Sequence, residues 1–224
     1  MRVVANYSTS LFDYINNDKD LKEVLSQGAD ESLLSEGARK TLREKGISLN
    51  GSTTKDSSVY ETVQETAESL RDSVIAFTGS DAENLFTTAE NSGSTAKIVT
   101  EVKSFVENYN AFASAVKEMG GSENTTYLEQ MNSLLTKDSD VYEKVGITFA
   151  EDGTLTLDEK VLASASVEDL KTAFYNDDDL EEIAQKSIRV QANAISGKYA
   201  ATVSNYTNSG TYSNSALSSF LKSI

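Results

Sequence analysis

Apolar residues recur along this 224-residue chain with periods that change from segment to segment, and those periods predict its elements. Between residues 58 and 78, Tyr60, Val63, Ala67, Leu70, Val74 and Phe77 step 3, 4, 3, 4, 3. Side chains so spaced share one stripe of a helix, which predicts the seam of a coiled coil or tight helical hairpin, closed by Gly79. Between residues 94 and 119 the pattern is stronger. Ile98, Val102, Phe105, Tyr109, Phe112, Val116 and Met119 step 4, 3, 4, 3, 4, 3, and Gly120-Gly121 then stops the helix. Two heptad helices this close in sequence predict antiparallel packing inside one chain. So regular a seam could also join subunits, but an intramolecular core is the simpler reading.

The last long helix, over 179–207, reads differently. Ala184, Ile188, Ala192, Ile195, Tyr199, Val203 and Tyr206 step 4, 4, 3, 4, 4, 3. An 11-residue repeat of this kind gives about 3.67 residues per turn and predicts a straight or slightly right-handed arrangement. Shorter helices are expected over 11–17, 21–26, 31–45 (closed by Gly46), within 80–93, and over 127–136, where Leu128, Met131, Leu134 and Leu135 face inward. A polar loop occupies 50–56.

One segment has a period of two. Val145-Gly146-Ile147-Thr148-Phe149 and Thr154-Leu155-Thr156-Leu157 alternate around Glu151-Asp152-Gly153, which predicts a β-hairpin. Asp158 can cap a small helix carrying Val161 and Leu162. Ser166-Val167-Glu168-Asp169 opens another as an acidic capping box, with Leu170, Ala173 and Phe174 on its apolar side. The expected class is therefore mainly α, with long heptad- and hendecad-patterned helices forming a helical bundle or coiled-coil stem and a small β-hairpin near residues 145–157. Three parts are expected: an N-terminal helical segment able to move (1–57), a bundle with the hairpin (58–207), and an apolar tail (208–224).

Composition narrows the chemistry. With 20 Lys+Arg against 35 Asp+Glu the net charge is −15, which repels phosphate backbones and argues against nucleic acid as a partner. Neither Cys nor His occurs, so disulfides, thiol nucleophiles, thiolate metal sites and the commonest neutral-pH base are all ruled out. Without Pro, helices can run long. No apolar run approaches the roughly 20 residues that span a bilayer, so no membrane insertion is expected. Residues 1–8 lack the apolar stretch of a secretory signal. The chain is thus expected either in the cytoplasm or outside the cell by a route that reads no such signal.

Two acidic clusters are the candidates for chemistry. Residues 151–159 resemble the second half of an EF-hand loop, but with Gly153 at loop position 6, Thr148 and Ala150 stand where ligating carboxylates belong. A plain hairpin is expected there, with no metal. Asn176-Asp177-Asp178-Asp179 directly precedes a helix, where negative charge is favoured and one Asp can cap. No Gly-rich phosphate loop occurs and no sequence signature nominates a catalytic group, so no cofactor and no catalytic residue are expected.

The order of elements carries a resemblance. Val102-Lys103-Ser104-Phe105-Val106-Glu107-Asn108-Tyr109-Asn110-Ala111-Phe112 is followed by Gly146-Ile147-Thr148, then Asp152-Gly153-Thr154-Leu155-Thr156-Leu157-Asp158, then Ser166-Val167-Glu168-Asp169-Leu170 and Phe174. Over roughly 98–180 this resembles the C-terminal part of the bacterial flagellar filament cap proteins, the hook-associated proteins of the filament tip. That family has a Tyr-Asn helix, a Gly-Ile-Thr…Asp-Gly-Thr-Leu-x-Leu-Asp hairpin, a Leu-containing helix and a long terminal helix. The family's N-terminal segment is not recognisable in residues 1–50, and two spans are short: helix to hairpin, and the C-terminal coiled coil. The chain therefore resembles a minimal or divergent member.

The resemblance implies an extracellular, non-enzymatic structural part of the flagellum, exported without a cleaved signal peptide. Its implied partners are other copies of itself, flagellin and other hook-associated proteins. The residues expected at a subunit or partner interface are Tyr199, Val203, Tyr206, Phe220 and Leu221, apolar groups near the C-terminus. Two rival readings stand beside it: a cytoplasmic helical binding module, such as a flagellar export chaperone or regulator, and, last, a hydrolase using Ser/Lys or carboxylates.

Overall fold

The computed structural model describes residues 36–44, 57–175 and 177–208, the side chains of 38, 39, 42 and 199–208 excepted. The elements in chain order are α1 (Glu36–Glu44), α2 (Ser57–Thr78), α3 (Ala82–Ser92), α4 (Ala96–Met119), α5 (Ser122–Lys137), α6 (Ser139–Lys144), β1 (Ile147–Phe149), β2 (Leu155–Leu157), α7 (Glu159–Ser164), α8 (Val167–Phe174) and α9 (Asp178–Asn208). The fold is mainly α with one small antiparallel hairpin, as the periodicity predicts. The helices expected over 11–17 and 21–26 lie outside the described residues, as does Gly46.

Two compact units divide the chain. Of the described residues, 36–44, 57–64, 119–124 and 191–208 belong to one, and 65–118, 125–175 and 177–190 to the other.

The heptad positions are the buried ones. All six seam residues of α2 and all seven of α4 are at most 1% exposed. In the second unit this burial gathers an aromatic cluster around Phe174, whose ring centroid lies 4.7 Å from Phe77, 5.8 Å from Tyr142 and 6.0 Å from Phe105. Offset and edge-on pairs at these separations add to the area they remove from water. On α5, Leu128, Met131 and Leu135 are buried, while Leu134 is half-buried.

Local signals end the helices where expected. Gly93, Gly120 and Gly121 have positive φ at helix ends. Asp158 accepts from the amides of Lys160 and Val161 to start α7. Ser166 accepts from the amide of Asp169 to start α8. Leu162, Leu170, Ala173 and Phe174 are buried, but Val161 is 36% exposed.

The hairpin pairs Ile147 with Leu157, Thr148 with Thr156 and Phe149 with Leu155. Its turn closes through Gly153 N–H to Ala150 O (3.0 Å) and Ala150 N–H to Thr154 O (2.9 Å), with Gly153 at φ +82°. That is a three-residue loop ending in a left-handed glycine, which matches the twist of the flanking strands.

The long C-terminal helix differs from its expected pattern. Its buried positions are Leu180, Ile183, Ser187, Val190, Asn193, Ala194 and Gly197. Apart from Asn193 these step 3, 4, 3, 4, 3, a heptad and not an 11-residue repeat. Of the expected stripe, Ala184, Ile188 and Ala192 are half-buried and Ile195 is 52% exposed. The cause is that Ser187 and Gly197 fill seam positions without being apolar, and that polar Asn193 is buried beside the seam residue Ala194. Ser187 satisfies its hydroxyl on Ala184 O. Asn193 donates to Asn124 Oδ1 at 2.8 Å, and Asn124 donates to Gly120 O at 2.7 Å. At Gly197 a Cβ would collide with the Tyr60 ring.

Candidate functional site

In the second unit, one face of α4 meets the hairpin and the start of α7. Lys103, Asn110 and Lys117 lie seven residues apart, each directly after a seam residue: Val102, Tyr109 and Val116. Such residues stack along one stripe beside the buried seam, about 10 Å apart per heptad. Each grips a different point of the hairpin segment.

Asn110 makes the central contact. Its amide Nδ2 donates to Leu155 O (2.8 Å) and its Oδ1 accepts from Leu155 N–H (2.7 Å). Leu155 faces Phe149, a ladder pair whose amide and carbonyl point away from the partner strand, as alternate pairs do in an antiparallel ladder. Asn110 thus takes the place of another strand on the outer edge of β2. An open strand edge invites foreign pairing, and a side-chain amide that matches the peptide closes it.

The other two contacts are ionic and exposed. Lys117 Nζ donates to Asp152 O at the turn (2.5 Å) and lies 3.8 Å from the Asp152 carboxylate. Lys103 Nζ pairs with Glu159 at the start of α7 (2.5 Å). Exposed pairs contribute about 0–1 kcal/mol each, so Asn110 dominates the grip. Within the turn, Asp152 accepts from the amide and hydroxyl of Thr154, and these bonds, with Lys117 nearby, hold its carboxyl below the usual range.

Tyr109 extends the arrangement on the buried side. Its hydroxyl donates to Asn132 Oδ1 (3.4 Å), and the Asn132 amide lies against Gly153, where a Cβ would come within 2.6 Å of Nδ2. The Tyr-Asn pair therefore acts as a unit, with Tyr109 on the turn through Asn132 and Asn110 on the strand. Burial holds the Tyr109 phenol far above its ordinary value.

A second constellation forms where α9 begins. Asp177 Oδ1 accepts from the amides of Asp179 (2.7 Å) and Leu180 (3.3 Å), so of the acidic run it is Asp177 that caps the helix. Lys137 pairs with Asp179 (2.9 Å) and lies 3.9 Å from Asp138. Nearby, the Tyr142 ring is 2% exposed and its hydroxyl has no hydrogen-bond partner.

The terminal residues expected at an interface are placed only in part. Tyr199, Val203 and Tyr206 belong to α9, but their side chains lie outside the described ones; Phe220 and Leu221 lie outside the described residues altogether. The nearest described member of their stripe is Ile195, which is exposed. Sequence reasoning missed the Lys103–Asn110–Lys117 stripe. Its signal was present as a polar heptad running one residue behind an apolar one.

Among the described residues, no group of three or more His, Cys, Asp or Glu is arranged to hold a metal ion. Among them, too, no helix is long and apolar enough to cross a membrane. A hollow of about 350 Å³ along α9 is lined by Asp178, Glu181, Glu182, Gln185, Lys186 and Arg189, all of one helix. Lys186 there is bound to Glu182 and Gln130. Comparison with known proteins found no matching family model, no matching curated protein and no matching solved structure.

Proposed function

We propose that this chain is a non-enzymatic structural component of the bacterial flagellum, similar to the filament cap, which self-assembles and assists flagellin assembly at the filament tip. The observation that carries this reading is the two-way bond between Asn110 and Leu155. It joins the Tyr-Asn helix to the Asp-Gly hairpin, the two motifs on which the resemblance rests, and gives their co-occurrence a physical reason. A pair of motifs that interlock is stronger support than two motifs that merely follow one another.

In this role the buried seams of α2 and α4 supply stiffness, and the C-terminal residues Tyr199, Val203, Tyr206, Phe220 and Leu221 supply contacts to further copies or to flagellin. Ile195, the last residue of that stripe whose side chain is described, is exposed. The self-assembly is tested by light scattering coupled to size-exclusion chromatography, on the full chain and on a chain ending at residue 207. Oligomers of the full chain that dissolve on truncation are expected. A monomer in both cases contradicts the assembly role.

A further inference from the structure

The C-terminal half of α9 buries the less apolar of its two sides. In the first unit its inward residues are Asn193, Ala194 and Gly197, while Ala192 is half-buried and Ile195 is 52% exposed. At 3.6 residues per turn, Ile195 stands about 200° around the helix from both Asn193 and Gly197. The same period places Tyr199, Val203 and Tyr206 on the line of Ile195. Hydrophobicity alone favours that line as the buried one, so specific contacts must set the orientation.

Two contacts do so. Asn193 donates to Asn124 Oδ1 (2.8 Å), and Asn124, fully buried, donates in turn to Gly120 O (2.7 Å). Turning α9 about its axis carries the Asn193 amide away and takes a donor from an acceptor that water does not reach. The second contact works by exclusion. One turn further on, Gly197 lies against the Tyr60 ring, and a Cβ there would collide with it. Tyr60 is 1% exposed, so its ring is held in place by close-packed neighbours. Rotation would drive Ser196 or Lys198 into the place that only a glycine fits. Gln191 and Lys198 also reach α2, at Gln64 O (3.4 Å) and Glu61 (2.9 Å), but through long side chains that can follow a turning helix.

We propose that Asn193 and Gly197 select the buried side of α9 in this stretch and so hold its more apolar side outward. A buried polar residue at a helix seam sacrifices stability and specifies one arrangement over its rivals. Here the rival is the same helix turned about its own axis. The selection rests on these contacts alone and holds whether or not copies assemble.

The chain has no Cys, so a single introduced thiol reports its own position. Ile195→Cys and Ala194→Cys, each in the full chain, are timed against a charged thiol reagent. In the otherwise unchanged chain at low concentration, the thiol at position 195 should react fast and that at 194 slowly. Adding Asn193→Ala or Gly197→Ala should reverse the order, with position 195 slowed about tenfold, the equivalent of one buried hydrogen bond. Tyr60→Leu should restore the fast reaction at 195 in the Gly197→Ala chain. Rates are taken over a range of protein concentrations, because shielding by other copies grows with concentration and shielding by rotation does not. Slow reaction at 195 in the dilute unchanged chain, or a rate there that neither variant lowers, overturns the proposal. So does fast reaction at both positions in the variants, the mark of a helix loosened or unfolded and not turned.

Discussion

Asn110 shows how much one side chain can decide at the residue scale. Its amide has the same donor and acceptor as a peptide, so it can close a strand edge that no other strand covers. Asn110→Ala leaves the Leu155 amide and carbonyl without partners and should cost about 1–3 kcal/mol. Differential scanning calorimetry should then show Tm lower by several degrees. Asn110→Asp should not rescue it, because a carboxylate would face the Leu155 carbonyl. Tyr142 offers the opposite case. Its buried hydroxyl makes no bond, so Tyr142→Phe should leave stability unchanged or raise it by up to about 1 kcal/mol, measured by urea denaturation. Tyr109 and Tyr142 also set an alkaline limit. Burial holds both phenols protonated in the folded chain, while in the unfolded chain they ionise near pH 10. Stability from these groups is intact below about pH 10 and falls as pH rises beyond it, which melts at pH 9 and 11 would show.

At the scale of elements, the sequence is most readable where burial and hydrophobicity coincide. The seams of α2 and α4 are filled by apolar side chains throughout, so their period of 3.5 is visible directly. The hairpin is readable because its turn needs a left-handed glycine and Gly153 stands there. In α9 the two properties part company. Ser187 and Gly197 occupy the seam through a back-bonded hydroxyl and a missing side chain, and Asn193 is buried beside it through an amide pair, none of which a scan for apolar residues registers. Such a scan follows Ala184, Ile188, Ala192 and Ile195, which border the seam. Asn110 was hidden for a related reason: an Asn on a helix face has no pattern of its own until its strand is in place. Gly197 gives the seam a test. Alanine usually stabilises a helix by about 1 kcal/mol over glycine, but here its methyl meets the Tyr60 ring, and overpacking costs about 1–3 kcal/mol. Gly197→Ala should therefore destabilise the chain, and should cost less, or nothing, in a Tyr60→Leu background. Equal losses in both backgrounds would place the cause elsewhere.

At the scale of the whole molecule, the chain carries a net charge of −15 and has neither Cys nor His. The acidic surface keeps the chain soluble as long as its apolar faces are covered, and the C-terminal stripe is the face assigned here to other subunits. Of the site proposed for assembly, Tyr199, Val203, Tyr206, Phe220 and Leu221 were legible only as apolar groups near the end of the chain, because what would select among them is a partner surface. The most direct measurement of the flagellar reading is where the chain goes. Immunodetection in cells and culture medium, with the flagellar export apparatus intact and disabled, should find it in the medium only when the apparatus works. Retention inside cells in both backgrounds would contradict the structural role and favour a cytoplasmic binding module.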